Sequence, residues 1–168
     1  MHLDENIDAI DSAVPDPRKG LPDEVFRLLT RLTPMANVDL LIQNDRRETL
    51  LTWREDELYR GWHIPGGIIR YKERMADRIA EVARLELGAV VAIKGGPLAI
   101  NEVIHPERRV RGHFIAFLFG CELASGPDER LRHGGGAPAR GQWAWHGGFP
   151  REMIPSHEMY RRFIEPTR

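Results

Sequence analysis

The sequence predicts an α/β fold, a mixed β-sheet covered by helices on both faces. Apolar residues recur at helical spacing in three separate segments, β-rich runs lie between them, and glycine and proline clusters mark each change of period. A length of 168 residues, 42% of them hydrophobic, suits one domain with a sizeable core.

Residues 1–21 mix acids with Pro15, Pro17 and Gly20 and read as a mobile arm or loosely docked extension; residues 22–168 form the domain. In "LPDEVFRLLTRLTP", Val25, Phe26, Leu28, Leu29 and Leu32 mark a short amphipathic helix, opened by acids and ended before Pro34. The period then changes. Runs 38–43 and 49–53 flank the turn "NDRR", a hairpin signal, and "GWHIPGG" is a further short strand ending in two glycines. From Glu73 to Leu87, Met75, Ile79, Val82 and Leu87 keep a helical rhythm that Gly88 stops. Strands follow in "AVVAIKGGPLAINEVI", "HFIAFLFGCEL" and, after a glycine-rich stretch, "QWAWH". A last helix in "PSHEMYRRFIEP" has Ser156 as candidate N-cap.

Charge narrows the function. Charged residues make up 29% of the chain and nearly cancel to a net −1, so no global field draws it to nucleic acid or membrane, and any anion site is local. A single cysteine, Cys121, in an apolar run excludes an internal disulfide and a cysteine-rich zinc site. With no apolar run of the roughly 18 residues a membrane span needs, a soluble cytoplasmic protein is expected.

The chemistry centres on "WHIPGGIIRYKERMADRIAEVARLELG". Paired glycines at a strand end let backbone approach a ligand, and a following helix can present carboxylates three or four apart to a divalent cation. Gly67, Glu73, Glu86 and Gly88, with Trp62, Pro65 and Gly66 before them, resemble the Nudix box. In that pattern glycine, five residues, glutamate, seven residues, Arg-Glu, an aliphatic, any residue, Glu-Glu, any residue and glycine follow in order. The element order from about residue 22 to 165 likewise resembles the Nudix α/β/α sandwich. The departures are specific: Glu81 replaces the arginine, and Val82 and Leu85 replace two of three metal-binding glutamates. Glu81 is no substitute, since at about 100° per residue it points about 140° away from Glu86.

The GDP-mannose mannosyl hydrolase branch also lacks those two glutamates, and "RLELG", the helix and Thr-Pro before the first strand, and His113-Phe114 are similar to it. The resemblance implies magnesium-assisted hydrolysis of a nucleoside diphosphate sugar, water attacking the anomeric carbon and nucleoside diphosphate leaving. It implies one Mg2+, or Mn2+, on the Gly66 carbonyl and Glu86. Asp39 would face the sugar and Arg54 the diphosphate; the arginine that follows the double glycine in that branch is Ile68 here, which leaves Arg70, two residues on, as the candidate substrate arginine, and His113 is the candidate catalytic histidine. Gly67, Glu73 and Gly88 would be structural. The branch's Gln-His pair, a metal ligand and a base, aligns with Ala139 and Arg140, which leaves the base unassigned. Two other readings stand beside this one: diphosphate cleavage with replacement ligands, and a catalytically silent module that binds a nucleotide or nucleotide sugar. A small-molecule substrate and a homodimer fit all three. Arg108, Arg109 and Arg111 beside His105 read either as a phosphate grip or as a solvated turn.

Overall fold

A computed structural model describes residues 2–165. Among these residues seven strands form two sheets: β1 (Met35–Ile42), β2 (Thr49–Glu55), β3 (Arg60–His63), β4 (Gly66–Ile68), β5 (Val91–Ile104), β6 (His113–Leu123) and β7 (Trp143–His146). One sheet has the order β4-β1-β6-β5 and the other β3-β2-β7. The first is mixed, because β1 runs parallel to β6 while its other pairs are antiparallel.

Alternation along the strands builds a core on each side. Val38, Leu40, Ile42 and Leu50 pack against Ile79, Val82, Ala83 and Leu87 of α3 (Met75–Val82) and the π-turn that continues it (Ala83–Leu87). Leu41, Leu51, Trp53, Trp62 and Ile64 face Tyr160 and Ile164 of the C-terminal segment. The strand period of two thus sends every second side chain to each helical layer, giving the α/β/α arrangement that the sequence predicts. Among the described residues no helix is long and apolar enough to cross a membrane.

Several local expectations are corrected. The expected hairpin is a corner: β1 and β2 share only the bridge Gln43↔Thr49 and then enter different sheets. "GWHIPGG" is two strands, not one. β3 ends at His63, and Pro65 lends its carbonyl to Leu40 N–H at 2.8 Å as the chain crosses to β4 in the other sheet. Within the N-terminal segment lies α1 (Leu3–Ser12), a helix with no buried residue, which the sequence did not single out. In α2 (Asp23–Leu32) the Leu32 side chain, expected on the apolar stripe, is 70% exposed. The C-terminal segment opens as a 3-10 helix, Pro155–Tyr160, with Pro155 in its first turn, and only then becomes α4 (Arg161–Ile164). Its N-cap is Ile154, so Ser156 lies inside the helix and caps nothing.

Candidate active site

Glu86 sits on the π-turn and is held from three sides. Its Oε1 accepts the Gly66 N–H at 3.2 Å and its Oε2 accepts the Thr52 hydroxyl at 2.8 Å. His63 Nε2 stands 3.3 Å from the same Oε2. The His63 ring is fixed by its Nδ1, which lies 2.8 Å from the Thr52 carbonyl and must donate to it, leaving Nε2 to face the carboxylate. Burial alone would raise the Glu86 pKa, but His63 and the hydrogen bonds from His63, Thr52 and Gly66 outweigh it, so the group lies below its ordinary value. Glu86 is therefore an ionised, oriented carboxylate near neutral pH.

Asp39 lies on the opposite side of Gly66. The two residues are register partners in the β1/β4 ladder, and a Cβ on Gly66 would collide with Asp39 Oδ1 and stand 2.9 Å from the Val38 carbonyl. Glycine is required here by close approach, not by its backbone angles. Asp39 shares the parity of Leu41 and so faces the C-terminal segment, where the Tyr160 hydroxyl donates to its Oδ2; Asn37 Nδ2 donates to Oδ1 at 2.8 Å. Burial pushes its pKa up to about 6, while Tyr160, Asn37 and His63 pull the other way. Nearby His157 accepts the Ile64 N–H on Nδ1 at 3.1 Å, and burial keeps it neutral.

Two cavities flank this partition. One, about 220 Å3, is lined by Asp39, Arg54, Tyr59, Gly67, Arg111 and His157 among others. The second, about 410 Å3, is lined by Thr52, Asp56, Leu85, Glu86 and Arg140 among others. Arg54, His63 and Gly66 border both, so the two form one cleft divided at Gly66.

The expected site residues divide accordingly. Asp39, Arg54, Gly66, Gly67 and Glu86 come together on the cleft. Arg70 and His113 line neither cavity. Arg70 reaches the Arg18 carbonyl at 3.1 Å, and His113 Nε2 pairs with Glu102 at 3.2 Å across the β5/β6 ladder. His133, in the glycine-rich stretch, packs edge-on against Trp62 and also lines neither cavity. Glu73 takes the Arg70 N–H at 2.8 Å and a two-pronged bond from buried Arg78, so it ties the loop to α3. Gly88 ends the helix in the left-handed region at φ 62°.

The sequence does not single out His63, Thr52, Tyr160 or His157 as site residues. For His63 a signal exists: Trp62 and Ile64 are apolar and inward, which turns the residue between them to the other face, just before Pro65-Gly66-Gly67.

The donor set decides what cation it can hold. Val82 is buried in the core and Leu85 is 56% exposed where the family pattern has carboxylates. Among the described residues no three histidine, cysteine, aspartate or glutamate side chains are gathered to hold a metal. A multi-metal cluster does not fit. Of the roughly four acceptor directions on the Glu86 carboxylate, three face Gly66, Thr52 and His63, leaving one open. That suits a single cation whose remaining positions are filled by water and substrate phosphates, the usual habit of Mg2+.

No protein-family model matches the chain. The ADP-ribose pyrophosphatase of Methanocaldococcus jannaschii is 28% identical over 105 residues, which span 59% of this chain and 60% of that protein. The match thus covers less than two thirds of that relative's length. A possible asymmetric diadenosine tetraphosphate hydrolase from Jonesia denitrificans superposes with a TM-score of 0.60 at 17% identity, over 79% of this chain and 92% of that one. A MutT Nudix hydrolase from Burkholderia pseudomallei gives 0.59 at 18% identity, over 79% and 98%. A UDP-X diphosphatase gives 0.51 at 18% identity, over 86% and 79%. The α/β/α architecture is therefore that of the Nudix fold.

Proposed function

We propose that the protein hydrolyses a nucleoside diphosphate sugar of the GDP-mannose kind, releasing nucleoside diphosphate and free sugar. The observation that carries this reading is that Asp39, Arg54 and Glu86, from two strands and the box helix, border one cleft divided at Gly66. A silent remnant of the fold would have no reason to keep all three there.

In this reading Asp39 is the general base. A carboxyl near pH 6 is ionised at neutral pH yet basic enough to take a proton in the transition state. It removes a proton from water as the water oxygen bonds to the anomeric carbon. The bond from that carbon to the phosphate oxygen breaks, and the electron pair leaves with the nucleoside diphosphate. Arg54 faces the charge that develops on the leaving diphosphate. Glu86 and the Gly66 carbonyl would hold one Mg2+, or Mn2+, which when bound neutralises that diphosphate. Thr52 and His63 fix the direction of the Glu86 carboxylate.

Attack on phosphorus is the second reading, favoured by the names of the ADP-ribose pyrophosphatase and UDP-X diphosphatase to which the chain is similar. A panel of nucleotide sugars incubated in 18O-water with and without Mg2+, followed by phosphorus NMR, separates the two. Unlabelled nucleoside diphosphate, lost in Glu86→Gln, is the expected product. Nucleoside monophosphate or labelled phosphate would establish diphosphate cleavage, and tight binding without turnover would establish a binding module.

A further inference from the structure

The smaller cavity has a cationic wall that the mechanism above uses only in part. The guanidinium carbons of Arg54 and Arg108 stand 5.0 and 4.7 Å from the centroid of the Tyr59 ring. Arg108 donates to the Tyr59 hydroxyl at 2.6 Å, and that hydroxyl lies 3.3 Å from His105 Nε2. Burial and Arg108 keep His105 from protonating, so it accepts the Tyr59 proton and the ring is braced at its polar end. Arg111 completes the wall and lines the cavity together with Arg54, Tyr59 and Asp39.

Arg54 is paired with Asp56 at 2.6 Å, whereas Arg111 Nε is buried and has no hydrogen-bond partner among the described residues. Burial and the neighbouring Arg54 press the Arg111 pKa down, with Asp56 and Tyr59 opposing and Arg108 adding to the repulsion. Arg111 also adopts φ 53°, in the left-handed region that non-glycine residues avoid at a cost of about 1 kcal/mol or more. A buried guanidinium Nε without an acceptor among the described residues, on a side chain that lines the same cavity as Arg54, points to an anion subsite.

We infer that Arg111, together with Arg54 and with Tyr59 braced from behind by Arg108, forms an oxyanion subsite that takes a phosphate group of the substrate. The forked, planar guanidinium matches the oxygens of a phosphate as no ammonium does. The inference rests on the proposed reading only for which molecule brings the phosphate. Arg109, next in the chain but exposed, is outside the subsite.

The test is calorimetric titration of the full-length chain with inorganic pyrophosphate, free of divalent metal. Wild type is expected to bind, Arg111→Gln to weaken binding by about tenfold or more, as loss of one charge-assisted pair implies, and Arg109→Gln to match wild type. Arg111→Lys keeps the charge without the fork and is expected to fall between, which covers the case in which the glutamine variant does not fold. Equal affinity in wild type and both Arg111 variants, equal losses at Arg109 and Arg111, or no binding by wild type would each overturn the subsite. If nucleotide sugars stay intact while pyrophosphate binding depends on Arg111, the hydrolase reading falls and the subsite stands. Turnover of a nucleotide sugar without that dependence removes the subsite alone.

Discussion

Asp39 concentrates most of what single residues contribute. Its pKa is raised from 3.8 to about 6, because burial costs more than Tyr160 and Asn37 return. A group whose folded-state value is raised favours folding below its unfolded value and loses that contribution as pH climbs through the folded one. Stability from this group therefore falls between about pH 4 and pH 6, by about 3 kcal/mol, and stays low above. Asp39→Asn removes the titration, so urea denaturation should find the variant gaining on wild type as pH rises from about 4 to about 6, with a constant difference above. A gap that did not change over that range would refute the assignment of the shift to this carboxyl. Turnover should move the other way, with kcat falling by about 100-fold or more, the size expected for loss of a general base. Gly66 and Glu86 stood out by the spacing that resembles the Nudix box, whereas Asp39 and Arg54 were implied only by the resemblance to one branch, since a lone acid or arginine on a strand carries no local signal of a site. Tyr160 was not legible, since it meets Asp39 from 121 residues away and only the closed fold brings them together. Arg111 was half legible: the basic turn stood out, but nothing local tells a buried guanidinium from a solvated one.

At the level of elements, the box helix explains why one carboxylate survives. Val82 is 3% exposed, and its Cγ2 would stand 2.9 Å from a Cβ placed on Gly67, so this side of α3 is packing surface. Leu85, on the π-turn, is half exposed and lines the larger cavity beside Glu86. The two positions should therefore respond differently to restoring glutamate. Leu85→Glu is expected to fold with little change in melting temperature and to tighten Mn2+ binding in calorimetry, because it adds a second hard oxygen donor at the cavity wall. Val82→Glu should cost about 3–5 kcal/mol, the penalty for an uncompensated buried charge. Equal tolerance of both would mean that the helix face has been misassigned. The helix and its Gly88 stop follow from periodicity, but the π-turn does not, because a change from i→i+4 to i→i+5 bonding leaves the apolar pattern almost intact. The corner between β1 and β2 was misread for a related reason. Turn chemistry and strand period specify a reversal, and neither says which sheet each strand joins.

Across the whole molecule, the C-terminal segment couples closure of the fold to the site. It seals the apolar face over Trp53, Trp62 and Leu118, receives the Ile64 N–H on His157, and delivers the Tyr160 hydroxyl to Asp39. By contrast α1 buries no residue, so deleting residues 2–12 should leave the melting temperature within about 2 °C of wild type, as expected of changes away from the core. Packing and polarity in the C-terminal segment can be separated with two variants on the same face. Ile164→Ala removes packing alone and should cost about 2–5 kcal/mol while leaving the acid limb of the kcat profile in place. Tyr160→Phe keeps the packing but takes a donor from a buried carboxylate. Because that hydrogen bond lowers the Asp39 pKa, its loss should carry the acid limb above pH 6. Its cost in stability, about 1.5–3 kcal/mol for a bond to a charged group, should appear in full where Asp39 is ionised and shrink to about 0.5–1.5 kcal/mol in acid, where the protonated carboxyl still accepts. Pairing denaturation with a pH-rate profile distinguishes the outcomes. If Tyr160→Phe behaves as Ile164→Ala does, the segment is only a lid on the core. If the acid limb moves with Tyr160 alone, the 3-10 helix Pro155–Tyr160 sets the proton affinity of a carboxylate that lies on β1.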